Sequence, residues 1–245
     1  MSAKIDKLNQ KKILIVAANP AVSEQTGWRI GFWAAELTHP YYEFTEHGYA
    51  VDIASPHGGK LEVDGFSDPR HESGYSADDL ISLGFLNSPK HAALLENTVS
   101  IANVRMQEYD ALFLAGGQSP MYTFRDNEAL HQLVVDFYEA GKIVSIVCHA
   151  TCVLLKAKLR DDSLLVDGKT WTGFSDAEEQ YADQFVGQRI QPFWIETEAR
   201  KIQNTNFIVG GSFKAFAIRD GNLITGQQQF SGAASAHLVI EALGV

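Results

Sequence analysis

Short runs of apolar, often β-branched residues alternate along this chain with longer stretches in which apolar residues recur at helical spacing. The first run, Ile13 to Ala18 in KKILIVAANP, is continuous rather than alternating, as a strand buried on both faces requires. Residues 30–47 come next, and their aromatic and aliphatic positions predict a helix that stops at Gly48. AVDIASP at 50–56 is then a second strand. The unit recurs with YDALFLAGG at 109–117, a helix in NEALHQLVVDFYEAGK ending at Gly141, and IVSIVC at 143–148. Strand, helix, strand in this succession predicts a parallel sheet covered by helices on both faces.

Residues 57–108 break the rhythm. Polar turns (HGGK, DGFSDPRHESG) and a weak helix, PKHAALLENTVSIANV, read as an insertion beside the sheet, of the kind that shapes a pocket. Beyond residue 148 the chain predicts a helical turn over 149–158 and a short hairpin in LLVDGKTWTGFS around Asp167 and Gly168. A charged helix over 176–186, NFIVG, FAIRDGNLITG with a turn at Asp220 and Gly221, and a terminal helix from Gly232 to Leu243 complete it. Nothing marks a linker or repeat, so residues 13–245 read as one domain behind a polar tail over 1–12.

Composition narrows the function. The 245 residues are 45% hydrophobic and 20% charged, an ordinary globular balance. Twenty Lys plus Arg against thirty Asp plus Glu leave a formal charge of −10, the wrong sign for binding nucleic acid or anionic lipid. A small or neutral substrate fits better. No window approaches the roughly 18 apolar residues of a membrane helix, and the polar start lacks a signal-peptide core. The two cysteines, Cys148 and Cys152, are too few for a disulfide scaffold and lack structural-zinc spacing, which points to a reducing, cytosolic compartment. His39, His47, His57, His91, His131 and His237 are scattered without metal-ligand spacing, and no pattern selects His57 or His237 as pocket residues. No GxGxxG follows the first strand and no GxxxxGKS occurs, so neither a metal nor a cofactor is called for.

In open parallel sheets ligands bind beyond the carboxyl ends of the strands, and three features fall there. Gly116 and Gly117 end one strand; they form either an oxyanion site of backbone amides or a plain tight turn. Cys148 and His149 end another strand before the apolar stretch ATCVLLKA, which puts a thiol at a sharp strand-to-helix turn. A helix N-terminus there favours thiolate, although Cys148 also reads as the buried end of a core strand. Adjacency alone implies no hydrogen bond between Cys148 and His149, and a separate carboxylate is needed to orient the imidazole. Glu36, among Phe32, Trp33, Ala34, Ala35 and Leu37, is either a desolvated acid that holds a proton near neutrality or a solvated helix-face charge. Cys152, one turn beyond Cys148, reads as packing, and Asp52, Asp64 and Asp68 read as turn residues. The aromatic cluster Phe32, Trp33, Tyr41, Tyr42 and Phe44 reads as core or subunit interface.

Together these segments resemble the ThiJ/PfpI superfamily, related to class I glutamine amidotransferases, and within it the branch of heat-shock chaperones with glutathione-independent glyoxalase activity. The likeness runs through ILIVAANP, the Glu36 helix with Pro40 and Tyr41, IASPHGG, FLAGG, IVSIVCHATCVLL, TGFSDAEE and DGNLITGQQQFSGAASA. It implies a flavodoxin-like α/β three-layer sandwich with a nucleophile-elbow cysteine, and a homodimer. By resemblance Cys148 is the nucleophile, Glu36 the carboxylate at its sulfur and His149 the proton-transfer partner. Glu179 is the acid that orients His149, and Glu178 a helix-surface charge; a one-residue shift exchanges them. The backbone amides of Gly117 and His149 are the oxyanion donors, with Gly116 and Gln118 beside them. Two departures stand out: Ala150 and Thr151 replace the usual Gly and Pro, and Gln118, Ser119 and Pro120 replace a histidine loop.

The implied reaction is that of a glyoxalase III-type lyase of the D-lactate dehydratase class, which converts small 2-oxoaldehydes such as methylglyoxal to hydroxy acids in stress defence. The same thiolate also suits attack on an amide, peptide or isonitrile carbon. A reading from another class is a holdase chaperone or a cysteine redox sensor.

Overall fold

The computed structural model describes residues 10–244, so the first nine residues of the expected polar tail lie outside the described residues. Gln10 to Lys12 are not tail. Gln10 donates a hydrogen bond to the Gly48 carbonyl, and Lys12 opens the first strand.

Seven strands form one sheet: β1 (Lys12–Val16), β2 (Ala50–Ser55), β3 (Val99–Ser100), β4 (Ala111–Leu114), β5 (Ile143–Val147), β6 (Ala217–Asp220) and β7 (Leu223–Gly226), in the order β6-β7-β5-β4-β1-β2-β3. All neighbours are parallel except the β6–β7 hairpin, which turns through Gly221 at φ +66°. Ile13–Val16, β4 and β5 are buried at every residue, which a strand achieves only with both faces covered. Of the longer helices α1 (Ala34–Glu46), α2 (Leu80–Asn87), α3 (Glu128–Glu139), α4 (Asp176–Val186) and α5 (Gly232–Leu243), it is α1, α3 and α5 that pack on the sheet. α1 packs on α5 and α2, and α3 packs on β4 and β5. Among the described residues, no helix is long and apolar enough to cross a membrane.

Local chemistry explains the boundaries. Asn127 accepts from the Leu130 N–H to start α3, and Ser175 and Glu178 form a reciprocal capping box on α4, which ends at Gly187 in the left-handed region. α1 has no capping side chain of its own. Its free Ala34 N–H is satisfied by Ser67 Oγ at 3.0 Å, from the 57–79 loop. That loop is therefore tied to the start of the helix carrying Glu36.

Three expectations are corrected. The Asp167–Gly168 segment makes no hairpin: Thr170–Trp171 pairs in parallel with Asn206–Phe207, a ribbon that buries Trp171. Within 57–108, the helix lies at Leu80–Asn87, capped by Asp79; Gly84 inside it weakens the helical signal in the sequence. The expected weak helix over 89–104 breaks into one α-turn, two 3₁₀ turns and the edge strand β3.

Candidate active site

The carboxyl ends of β4 and β5 meet the first turn of α1, and the three candidate features converge there. Cys148 leaves β5 at φ +59°, a conformation that costs a non-glycine residue about 1–3 kcal/mol. The Thr151 hydroxyl donates to the Cys148 carbonyl at 2.6 Å and ties down this bend. The departure from the family's proline at this position thus supplies a clamp on the elbow. From the elbow onward, Cys148–Leu155 winds as a 3₁₀ helix rather than an α-helix.

Positive φ also brings the two adjacent side chains together, which no regular element does. His149 Nδ1 lies 3.5 Å from Cys148 Sγ, and its Nε2 lies 3.0 Å from Glu179 Oε1. The imidazole stacks on Phe174, centroids 4.2 Å apart and planes within 20°, so its plane is set from the side as well. Of the two adjacent acids, Glu179 is the one that meets the imidazole. Glu178 is not the surface charge the resemblance implies: it is fully buried and accepts from Ser175, Phe213 N–H and Gln227 Nε2. It holds the α4 N-terminus to the segment carrying Phe213.

Glu36 is completely buried, so the solvated helix-face reading fails. Its Oε2 accepts from Gly116 N–H at 2.8 Å, and its Oε1 has no hydrogen-bond partner among the described residues. Burial lifts its pKa from 4.5 to about 7, against the opposing pull of the Cys148 thiol and of His149. The glycine pair serves this meeting by what it lacks. A Cβ on Gly116 would lie 2.6 Å from Glu36 Oε2 and 2.9 Å from Cys148 Cβ, and one on Gly117 would lie 2.4 Å from Trp33 N.

The amides of the two residues expected beside the oxyanion donors are otherwise engaged. The Gly116 amide serves Glu36, and the Gln118 amide donates to Asp64 Oδ2 at 2.7 Å. Gly117, at φ +119°, has an amide with no acceptor among the described residues. The His149 amide is directed at the Cys148 sulfur and lowers its pKa. Gln118 lines the same pocket as Cys148.

The thiol itself corrects a further expectation. Burial first, then the Glu36 carboxyl, push Cys148 well above the ordinary thiol value and outweigh the amide at the elbow. A helix N-terminus alone therefore does not ionise this sulfur; a base must take its proton. His149 is placed for that. Burial lowers its pKa, but the Glu179 carboxylate, with Glu36 and Asp64 behind it, more than compensates and leaves it raised. Glu179 is itself raised by burial, with His149 opposing.

Sequence reasoning missed Asp64. It reads as a turn residue in VDGFSDP, yet it is buried and accepts from Gly31 N–H at 2.8 Å as well as Gln118 N–H, with its pKa raised to about 6 by burial. Contact with residues 33 and 54 positions away leaves no local signal. Trp33 belongs to the pocket rather than the core, whereas Phe32 and Phe44 are core as expected. His57 is exposed, and His237 pairs with Glu43, away from the site. Among the described residues no cluster of three or more His, Cys, Asp or Glu side chains is arranged to hold a metal ion.

The chain is 28% identical to the probable glutathione-independent glyoxalase hsp3103 of Schizosaccharomyces pombe, over 89% of this chain and 92% of that protein. It is 25% identical to Glyoxalase 3 of Candida albicans over 88% and 91% of the two chains. Its fold superposes on the Rapid Encystment Protein 24 kDa of Francisella tularensis with a TM-score of 0.85 at 25% identity, covering 96% of this chain and all of that one. It also superposes on glyoxalase III of C. albicans with a TM-score of 0.78 at 23% identity, covering 95% and 97%. A model of the DJ-1/PfpI family matches residues 30–242, and with the sheet, elbow and glycine pair described above this makes the chain a member of the DJ-1/PfpI family.

Proposed function

We propose that this protein is a glutathione-independent glyoxalase that converts 2-oxoaldehydes to 2-hydroxy acids through a covalent adduct on Cys148. One observation carries the reading: Cys148 lies between two separately tuned proton carriers, Glu36 on one side and the His149–Glu179 pair on the other, at the floor of a pocket. The relatives named as glyoxalases, which align over most of their length, support it.

With Nε2 protonated toward Glu179, His149 presents the Nδ1 lone pair to the thiol and takes its proton as sulfur adds to the aldehyde carbon. The new C–S bond gives a hemithioacetal, whose oxygen accepts from the Gly117 amide. Glu36, with a pKa of about 7, removes the proton from that carbon and returns it to the neighbouring keto carbon, while the proton His149 took from the thiol passes to the keto oxygen and the hemithioacetal oxygen closes to the thioester carbonyl. The aldehyde carbon is oxidised and the keto carbon reduced, so no external electron carrier enters. Water then cleaves the thioester and releases the hydroxy acid and the thiol. His149 and Glu179 are positioned to activate that water.

The assignment of catalytic roles to Glu36, Cys148, His149 and Glu179, and of oxyanion binding to Gly117, belongs to this proposal. So do action as a cytoplasmic homodimer and the stress-defence role. The test is methylglyoxal turnover without glutathione. D-lactate formed by the wild type and absent in Cys148→Ala supports the reading; its absence in the wild type contradicts it.

A further inference from the structure

The floor of the pocket accounts for the carbonyl chemistry, but that chemistry gives its aromatic walls no part. The enclosed space above Cys148 is about 90 Å³, and it opens into a wider mouth lined by rings. Eight of its lining residues are aromatic, and none is Lys or Arg. The rings form a connected wall: Phe66 lies 6.2 Å from Tyr75, Tyr75 lies 6.0 Å from Trp33, and Phe185 lies 6.5 and 6.3 Å from Phe66 and Tyr75. Tyr181 and Phe213 add a second pair at 5.1 Å.

These rings are not idle core. Phe185, Tyr181 and Tyr75 are 62%, 55% and 42% exposed, and Phe185 and Tyr181 come from α4 while Tyr75 comes from the 57–79 loop. Apolar surface left open to water at the mouth of a reactive site gains free energy when a ligand covers it. A methyl group bonded beside the carbonyl at Cys148 stays near the floor. The carboxyl groups of Glu36, Asp64 and Glu179 lie around His149 at that floor, and no Lys or Arg lines the pocket, so an anionic substituent finds neither a lysine nor an arginine partner there.

From this wall we infer that the preferred substrates are uncharged 2-oxoaldehydes with an aromatic or comparably bulky apolar substituent, held by Tyr75, Phe66 and Phe185. The inference rests on the glyoxalase reading and assigns its substrate class. An aryl glyoxal follows the same balanced steps. Sulfur adds to the aldehyde carbon, the aldehyde C–H proton moves to the carbon bearing the ring and the thiol's proton to that carbon's oxygen, and water releases the 2-aryl-2-hydroxy acid; the ring takes no part in bond making.

Steady-state kinetics of the full chain with methylglyoxal, phenylglyoxal and 4-carboxyphenylglyoxal test it, with lactate and mandelates quantified by chiral chromatography. The expected kcat/KM is at least about 10-fold higher for phenylglyoxal than for methylglyoxal, and the carboxylated analogue falls at least about 10-fold below phenylglyoxal. Phe185→Ala lowers the phenylglyoxal-to-methylglyoxal ratio by about 5-fold or more, and Phe185→Trp restores it. Because Phe185 is exposed, these variants keep the fold, which circular dichroism checks. Methylglyoxal turnover equal to or above that of phenylglyoxal overturns this inference and leaves the glyoxalase reading standing. A ratio unchanged in Phe185→Ala also overturns it. Turnover of none of the three aldehydes removes both.

Discussion

Cys148 and Cys152 occupy successive turns of one short helix, are both buried, are both free thiols, and meet different surroundings. Around Cys148 lie Glu36, the His149 ring and the pocket; Cys152 Sγ reaches only the Pro120 carbonyl, at 3.5 Å, and burial raises its pKa. The helix does not distinguish them. What separates the first turn from the second is a backbone at positive φ and a neighbouring strand end without side chains at Gly116 and Gly117. Reactivity in this fold is a property of where strands end rather than of cysteine or of helix position. The adjacent acids of α4 teach the same lesson: Glu179 serves the site and Glu178 the scaffold, although both are buried carboxylates.

The contrast breaks most visibly by deletion. Cys148→Ala lowers methylglyoxal kcat/KM by at least about 10³-fold, whereas Cys152→Ala keeps it within about 3-fold and costs about 1 kcal/mol of stability. Thermal melts and lactate assays of the two variants read both effects. Glu36→Gln comes next, with a loss of about 10²- to 10³-fold in kcat. The same pair sets the pH profile: wild-type kcat rises with pH through about 7 as Glu36 ionises and becomes a base.

Stability carries the opposite sign. Glu36 is raised from 4.5 to about 7 in the fold, so its favourable contribution is fully present below about pH 4.5 and is lost as pH rises through about 7. Denaturant melts therefore show Glu36→Gln more stable than wild type at pH 8, by up to about 3 kcal/mol, with the difference vanishing toward pH 4.5. A smaller effect sharpens the α4 comparison. Glu179→Gln lowers kcat by about 10-fold and keeps stability within about 1 kcal/mol, while Glu178→Ala leaves four donors without an acceptor and lowers stability by about 3 kcal/mol.

The parallel sheet, α1 and α3 to α5 are legible in the sequence because their apolar runs and capping residues are local. The mostly β-branched run Ile13–Val16, Asn127 and Ser175–Glu178 each announce an element within a few residues. The catalytic candidates are legible through the order of short motifs around Gly116, Cys148 and Glu179. The hidden features depend on distant contacts. Asp64 draws its meaning from Gly31 and Gln118, Ser67 caps a helix 33 residues earlier, and Thr170–Trp171 pairs with Asn206–Phe207 across the chain. The ionisation of Cys148 escapes a sequence reading because a helix terminus is visible in sequence and desolvation is not.

The most direct test of the central claim is to quench the enzyme in acid during methylglyoxal turnover and map the adduct by peptide mass spectrometry. One equivalent of methylglyoxal is expected on the sulfur of Cys148, none on Cys152, and none in Cys148→Ala, which also forms no lactate. Lactate formation that persists in Cys148→Ala, or an adduct found only on other residues, contradicts it.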